Sequence, residues 1–359
     1  MDAATILADQ QTSLPIAAGA DYYKRLAAYL DRYRVGIDNL KATDYVTARL
    51  FAERDRVSLV CDRLLAAVRD NSGGHTSDAQ SHFDAAIKLL NPELAKLRSS
   101  AVPATKVPRL YRIRDAEDGS TVDLGGIFHL PAQLRGMASA ARYSLTNQPS
   151  LYLSRSIYIA WLETGANRLT RPWVSAFQLE EQDAIRVLDF GYTPELVAAM
   201  IPAGSNAQSK VSEFAAAYVI ALPLIAACSA CRNTLTKDPP EEFALPQMIL
   251  RWLPSGSDLI GIRYFSTRDV EAESGLFVQN YVFPAFDLGT TGYSPRLKRA
   301  FAWTNPAPLE RARVSGASCS PTGRNETKFT SQSGLICAYG TTSFAAAEAW
   351  LETQPLYSL

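Results

Sequence analysis

The chain has 359 residues, of which 47% are apolar and 10% aromatic, so it can bury a large core and is not a disordered protein. Lysine and arginine equal aspartate and glutamate at 36 each, and this balance argues against the basic face that nucleic-acid binding requires. The N-terminal segment carries Asp2 and Asp9 but no basic region, which is a poor secretory signal. Five scattered cysteines suit a reducing compartment, and we expect a cytoplasmic protein.

The first hundred residues have the periodicity of helices. Apolar side chains recur at three- and four-residue steps over residues 20–70, with Asp44 as an N-cap, and a further helix over Ser77–Leu97 contains Pro92. Residues 1–100 are therefore predicted to form a helical module that packs on the rest of the protein or makes a homo-oligomer. The proline-containing linker at residues 99–108 is the predicted domain boundary.

Residues 101–359 alternate short β-rich segments with helices, which predicts an α+β domain. The predicted strands are Arg109–Ile113, Ser150–Leu153, Val174–Leu179, Arg186–Asp189, Leu259–Tyr264 and Leu276–Phe283. The predicted helices are Ser156–Thr164, Pro194–Met200, Val211–Ile220 and Pro246–Trp252. Residues 315–334 are small and polar and are predicted to be a mobile loop, followed by a C-terminal strand and a helix capped by Ser343 over residues 335–352.

The longest apolar run, Phe214–Ala230, is interrupted by Pro223 and falls short of the roughly 20 residues of a spanning helix. We expect a buried helix or strand pair there and no membrane association. Cys228 and Cys231, near the end of this run, have the CxxC spacing but no second pair or nearby histidine. They are predicted to be structural thiols, with no metal site.

The most informative segment is residues 128–165. It carries Arg142, Tyr143, Tyr152 and Glu163, interrupted by a turn over residues 147–149. The later part predicts a strand that runs into a helix carrying Glu163. A carboxylate, an arginine and tyrosines on a strand–turn–helix unit are typical of a pocket for a phosphorylated ligand that contains a ring.

Four segments occur in an order that resembles the RES domain, named for its arginine, glutamate and serine. The segments are Leu110–Arg112, Ala141–Ser144 with Pro149–Leu153 and Trp161–Glu163, Glu242–Gln247, and Gly261–Ser266. The resemblance runs from about Tyr111 to Ala285 and is closest to a longer variant that has an HxPxxxR segment, here His129 to Arg135. It implies a fold similar to ADP-ribosyltransferases, with a mixed or antiparallel sheet, and NAD as the substrate.

The resemblance also implies roles for individual residues. Arg112, Arg142, Glu163 and Ser266 match the residues for which the family is known, whereas Ala140-Ala141 stands where its paired glycines are common. Glu163 suits the stabilisation of oxocarbenium character on the ribose. Arg112 and Arg142 suit the pyrophosphate, and Ser266 suits the carboxamide or the ribose.

Three further residues complete the predicted site, and each has an alternative structural role. Tyr143 or Tyr152 is a flat partner for nicotinamide, but Tyr152 also fits a half-buried strand position. His129 either contacts a ribose hydroxyl or orients its loop as a structural histidine. The expected function is an NAD-cleaving enzyme without a metal, a toxin or defence effector with an antitoxin or immunity partner. The alternatives are ADP-ribosyl transfer to a macromolecule and a non-catalytic nucleotide-binding module.

Overall fold

The computed structural model describes the chain except for several internal segments. The described residues are 1–100, 109–116, 120–165, 170–180, 186–201, 204, 207–233, 240–253, 258–268, 278–309, 328–330 and 336–359. The chain forms two compact units. The first contains Met1–Ser99, Ala140–Ser144 and Leu188–Pro254, and the second contains Ser100–Ser139, Leu145–Val187 and Ser255–Leu359.

Helices and strands are numbered here in chain order. The helices are α1 (Ala3–Ala8), α2 (Tyr22–Asp38), α3 (Tyr45–Ala52), α4 (Arg54–Ser72), α5 (Thr76–Lys96), α6 (Leu124–Ile127), α7 (Ile157–Glu163), α8 (Pro194–Met200), α9 (Lys210–Cys228), α10 (Ala244–Trp252), α11 (Pro295–Ala300) and α12 (Ser343–Glu352). The strands are β1 (Arg98–Ser100), β2 (Leu110–Asp115), β3 (Ser150–Ser154), β4 (Pro172–Leu179), β5 (Arg186–Phe190), β6 (Leu259–Phe265), β7 (Gln279–Pro284), β8 (Phe301–Thr304), β9 (Ala307–Pro308), β10 (Lys328–Thr330), β11 (Ile336–Ala338) and β12 (Leu356–Tyr357).

The first unit is built around α9. This helix is apolar on all sides, as expected of a helix that is surrounded by protein, and it packs against α3, α4 and α5. It meets the length and hydropathy criteria of a membrane span, but 83% of its apolar window is buried inside the protein. Its burial is that of the central helix of a helical core.

Pro223 lies inside α9 without ending it. A proline has no N–H, so it cannot donate to the carbonyl four residues earlier, at Val219. The buried hydroxyl of Tyr33, from α2, donates to the Val219 carbonyl instead. A second tyrosine of α2, Tyr22, donates to the Ala227 carbonyl at 2.6 Å. The predicted buried apolar segment is thus one helix, and it continues beyond the predicted end at Ile220.

The structure changes the domain assignment that was made from the sequence. The predicted boundary near residue 100 coincides with the first passage of the chain between the units, but residues 140–144 and 188–254 belong to the first unit. The physical reason is the apolar surface of α3, α4 and α5, which α9 covers. The periodicity of a single helix carries no information about which distant helices it packs against.

The second unit carries a mostly antiparallel sheet and several helices, so the protein is of mixed α and β structure, compatible with the predicted α+β class. The strands of the ten-stranded sheet follow the order β1-β5-β6-β7-β3-β2-β4-β8-β12, with β9 paired to β4, and β10 and β11 form a separate pair. The unit boundaries fall within β1 and β5. Most of the predicted loop at residues 315–334 lies outside the described residues.

One face of this sheet covers an aromatic core. Phe128 stacks on Trp303 with ring centroids 4.5 Å apart, and Phe177 stacks on the same indole at 5.3 Å. The cluster comprises Leu110, Ile127, Phe128, Leu151, Leu153, Phe177, Leu179, Val187, Ile260, Tyr281, Phe283, Ala285, Leu297, Ala300, Phe301 and Trp303. Such close packing fixes the strands that carry the candidate site.

The segment at residues 147–163 forms the predicted strand–turn–helix unit. Asn147 has a φ of 64°, a left-handed conformation that asparagine adopts more readily than most residues, and it makes the turn before β3.

The C-terminal helix α12 is also present, but its N-cap is Thr342 and not Ser343. The Thr342 side chain accepts a hydrogen bond from Ala345 N.

Candidate active site around Glu163

Glu163 is the last residue of α7, which follows β3 after two residues. Ser156 is the N-cap of this helix, and its hydroxyl accepts a hydrogen bond from Ile159 N at 3.2 Å. A short helix that is capped and joined directly to a strand has little freedom of orientation. The local sequence therefore places the Glu163 carboxylate at a defined distance from the end of β3.

Four side chains of the sheet lie on one face beneath this carboxylate. The register pairs Ser154 with Asn280 and Asn280 with Tyr264, and Ser266 follows Tyr264 by two residues. Because side chains alternate along a strand, Ser154, Asn280, Tyr264 and Ser266 project from the same face. Apart from Tyr264, these polar side chains are 5% exposed or less, and they approach Glu163.

The two oxygens of Glu163 have different surroundings. Oε1 accepts from the Ser266 hydroxyl at 2.7 Å and from the Asn280 side-chain amide at 2.8 Å. Oε2 lies 3.4 Å from Nε of Arg268, whose side chain is half exposed. An exposed ion pair of this length contributes little. Oε1 is thus held in place by buried donors, whereas Oε2 faces outward and is available to a ligand.

Arg112 lies at an opening in the sheet. Strand β2 is paired with β4 along its length, but with β3 at Tyr111 and Ser154 alone. Nη1 of Arg112 donates to the Tyr152 carbonyl of β3 at 3.3 Å, and its buried Nε has no hydrogen-bond partner. Burial, with a smaller effect of Arg114, lowers the pKa of Arg112 to about 10, so the guanidinium remains charged at neutral pH.

Arg112 and Glu163 approach β3 from different sides. Tyr111 shares the face of Ser154, and alternation along β2 directs Arg112 to the other face, where Leu110 joins the aromatic core. Within the described residues, Arg112 and Glu163 share no hydrogen bond or ion pair. The structure thus brings Glu163 and Ser266 together, and it places Arg112 at the neighbouring opening between β2 and β3.

His129 is fully buried and both of its ring nitrogens have backbone partners. Nδ1 is 2.8 Å from the Leu130 carbonyl, and Nε2 accepts from Ser294 N at 3.1 Å. Burial lowers the pKa of His129 to about 4, because the uncharged ring suits this environment. Of the two roles considered for His129, the contacts are those of a structural histidine that orients its loop.

The two tyrosines of the predicted site differ in accessibility. Tyr152 is half-buried between the buried Leu151 and Leu153, in the alternating pattern expected for β3. It is on the strand whose carbonyl contacts Arg112. Tyr143 is 1% exposed and belongs to the first unit, so its ring has no open face on which a nicotinamide could stack without a rearrangement. Tyr152 is therefore the better candidate for a stacking partner.

Arg142 also belongs to the first unit, where it contacts the end of α9. Its Nη1 donates to the Cys228 carbonyl at 3.1 Å and its Nη2 to the Ala230 carbonyl at 2.8 Å. The last carbonyls of a helix lack intrahelical donors, and a cation placed there satisfies them. The guanidinium carbon is also 5.3 Å from the ring centroid of Phe243. These contacts give Arg142 a structural role, and its predicted role as a pyrophosphate ligand stays a prediction.

The segment Glu242–Gln247 supports the short stretch that carries Arg142. Nε2 of Gln247 is 3.1 Å from the Ala141 carbonyl and 3.3 Å from the Ser144 carbonyl. Glu242, which is buried, accepts from Arg25 at 2.5 Å and from Asn233 N. Both side chains hold backbone segments of the first unit in place, so this part of the motif set has a structural function.

Sequence reasoning missed Ser154, Asn280 and Arg268. Ser154 Oγ donates to Asn280 Oδ1 at 2.6 Å, and Asn280 in turn donates to Glu163. The available signal was the pair Gln279-Asn280, two amides at the start of an otherwise apolar strand. Within the described parts of the chain, no group of three histidine, cysteine, aspartate or glutamate side chains is placed to hold a metal ion.

Comparison with known proteins gives one informative relative. The chain is 26% identical over 247 residues to a protein of Bacillus subtilis (strain 168) named "Putative toxin YopC". The match covers 66% of this chain and 55% of that protein, so it spans about half the length of the relative. No family model matches, and no solved structure matches. The similarity suggests a family of toxins and supports a toxin-like role, whereas the resemblance to the RES domain stays a prediction.

Proposed function

We propose that the second unit is an NAD-cleaving catalytic domain with an ADP-ribosyltransferase-like arrangement, and that Glu163 is its catalytic carboxylate. The proposal rests on one observation, which is that the two carboxylate oxygens of Glu163 have different contacts. Ser266 and Asn280 hold Oε1, and Oε2 faces outward with one long contact to Arg268. A carboxylate that is oriented before the ligand arrives need not reorganise during the reaction.

The chemistry that suits this carboxylate is cleavage of an N-glycosidic bond. As the nicotinamide–ribose bond breaks, positive charge develops on the ribose, and a fixed carboxylate oxygen stabilises that charge or holds a ribose hydroxyl. The Arg268 guanidinium is the cation that contacts Oε2 in the free protein. It is half exposed and weakly bound, so a ligand can displace it.

Arg112 is the proposed ligand of the pyrophosphate. Its guanidinium remains charged at neutral pH, has an unused Nε donor and lies at the opening between β2 and β3. Phosphate oxygens are good acceptors for a guanidinium with spare donors. Tyr152 shares the face of Ser154, so a dinucleotide in this opening would meet Arg112 on one face of the sheet and Tyr152 and Glu163 on the other. We propose NAD as the substrate and no metal.

The proposed biological role is that of a toxin or defence effector that depletes NAD. The similarity to a protein named as a toxin supports the toxin part of this role. A toxin encoded in a cell's own genome needs an inhibitor, and we propose an antitoxin or immunity protein as a partner. Expression of the protein should then slow growth.

The test is incubation of the purified full-length protein with NAD, with free nicotinamide measured over time. Glu163→Gln keeps the shape of the side chain but removes its charge, and we expect release to fall by about 100-fold or more. Glu180→Gln is the matched control, since Glu180 is an exposed glutamate of the same unit. Equal release from wild type and Glu163→Gln would refute the proposal.

Two other activities are distinguished by the same preparation. The first is ADP-ribosyl transfer to a macromolecule, the alternative enzymatic activity predicted from the sequence. NAD labelled in its adenosine part would then label a protein or nucleic acid. Calorimetric binding of NAD without any turnover would instead indicate a non-catalytic nucleotide-binding module. In cells, Glu163→Gln and Arg112→Ala should both relieve the growth defect if the toxic activity is the one proposed.

A further inference from the structure

The C-terminal helix α12 packs against the helix that carries Glu163. The Phe344 ring lies 5.5 Å from the Tyr158 ring and 5.6 Å from the Trp161 ring, measured between centroids. Both partners belong to α7. The contact is therefore an apolar one along α7, and it joins the end of the chain to the proposed catalytic helix within the second unit.

A single carboxylate adds a directional contact at the start of α7. Oε1 of Glu348, on α12, accepts from Ile157 N at 2.7 Å and from the Tyr339 hydroxyl at 2.6 Å. Ile157 N is the first of the helix donors that lack an intrahelical acceptor. Ser156 accepts from the later donor Ile159 N, so Glu348 and Ser156 satisfy two of the free donors at this terminus.

We propose that Glu348 is a positioning residue for Glu163, because from α12 it holds the first turn of the short helix that ends at the catalytic carboxylate. That Glu348 affects catalysis rests on the proposed function. That Glu348 holds α7 rests only on the contacts at the two ends of the helix. Glu348 holds Ile157 at the beginning, while Ser266 and Asn280 hold Glu163 at the end.

The contact is sensitive to pH. Burial raises the pKa of Glu348 to about 7, and the hydrogen bonds from Tyr339 and Ile157 oppose that rise. The other ionisable groups facing it are Glu352 of α12, which adds to the rise, Arg155, which opposes it, and Tyr111 of β2. Nη1 of Arg155 is buried without a hydrogen-bond partner, and the charge of Arg155 opposes the rise in the pKa of Glu348.

The direction of the pH effect follows from that pKa. Glu348 is largely protonated below pH 7 when α12 is docked, but it would ionise near its ordinary value of 4.5 if α12 were released. Raising the pH therefore favours release. For these two values, the equilibrium constant for release increases about tenfold between pH 6 and pH 8. The first turn of α7 should loosen accordingly.

The test is hydrogen exchange of the full-length protein, with rates in α7 corrected for the intrinsic effect of pH. Glu348→Ala should accelerate exchange of the first turn of α7 by about tenfold or more. Glu348→Gln keeps the acceptor and cannot ionise, so its α7 should exchange like wild type at pH 6 and should not loosen at pH 8. Glu180→Gln, an exposed glutamate of the same unit outside α12, is the control. Tyr339→Phe is the milder second variant, and it should accelerate α7 exchange less than Glu348→Ala.

Nicotinamide release measured on the same samples separates the two proposals. We expect Glu348→Ala to lower kcat with little change in KM, and Glu348→Gln to restore it. Unchanged α7 exchange in both Glu348→Ala and Tyr339→Phe would overturn the positioning role, whatever the activity. If wild type releases no nicotinamide, the proposed function fails, and the exchange data alone decide whether Glu348 holds α7.

Discussion

Asn280 links Glu163 to the strand that leads into the glutamate's own helix. Its side-chain amide donates to Glu163 Oε1 at 2.8 Å, and its carbonyl oxygen accepts from Ser154 at 2.6 Å. Ser154 is the last residue of β3, and Glu163 ends the helix that follows. The amide thus closes a loop of side-chain contacts around α7, so β7 determines where the carboxylate lies.

The first prediction concerns this amide. Asn280→Asp replaces the donor by a second carboxylate next to Glu163, and like charges disfavour ionisation of the pair. We expect nicotinamide release at pH 7 to fall about tenfold or more, and the acidic limb of its pH profile to move to higher pH. Ser154→Ala retains the donor of Asn280 and should have a smaller effect. Unchanged profiles in Asn280→Asp would show that the amide does not orient Glu163.

The second prediction separates two roles of Arg142. Arg142→Ala removes the donors from the carbonyls of Cys228 and Ala230, and we expect a loss of about 1–2 kcal/mol in the free energy of unfolding. The measurement is urea unfolding. The KM for NAD measured on the same variant tests the predicted pyrophosphate contact. A raised KM supports it, and a KM equal to that of wild type assigns Arg142 to the structure of the first unit.

The third prediction concerns acid stability. His129 has a folded-state pKa of about 4 against an ordinary value of 6.5. Its contribution to the free energy of unfolding is therefore complete above pH 6.5 and is lost as the pH falls towards 4. The loss amounts to about 3 kcal/mol. His129→Gln should remove this dependence, whereas His75→Gln, an exposed control, should not. Identical acid dependence in His129→Gln and wild type would contradict the buried neutral ring.

The fourth prediction concerns Glu348, whose contribution to stability depends on pH in the opposite direction. Glu348 has a folded-state pKa of about 7 against 4.5, so its contribution is complete below pH 4.5 and is lost as the pH rises through 7. Its effect and that of His129 oppose each other between about pH 4.5 and 6.5 and partly cancel in the wild type. Urea unfolding of Glu348→Gln should therefore show a free energy that still rises over this range and no longer declines as the pH approaches 7. A decline like that of wild type would contradict the assignment.

Local patterns were enough to predict the elements around Glu163. The turn residues at 147–149 and the alternation of Leu151, Tyr152 and Leu153 specify a turn and a strand, and the helix predicted over Ser156–Thr164 is present as α7, with Ser156 as its N-cap. Each of these signals acts between near neighbours. Glu163 and Ser266 were both predicted as site residues, and they lie 2.7 Å apart.

The contacts that sequence reasoning missed join distant parts of the chain. Asn280 reaches Glu163 through the register of β3 on β7, and a shift of that register by one residue would turn Asn280 to the other face. Glu348 is brought to α7 by the packing of Phe344 on that helix. The apolar pattern of α12 predicts a buried face, but it does not predict which helix that face packs against. Arg142 was assigned to a ligand because its sequence neighbours matched a motif, whereas its carbonyl partners lie at the last residue of α9 and two residues beyond it.

The alternation of the chain between its two units has a consequence for genetic dissection. Because Leu188–Pro254 returns to the first unit and brings α9 with it, a fragment cut after residue 100 would expose the apolar surfaces of α3, α4 and α5 to solvent. Such a fragment should aggregate. Recombination at a single crossover would split at least one of the units, so we expect homologous proteins to have inherited the two units together.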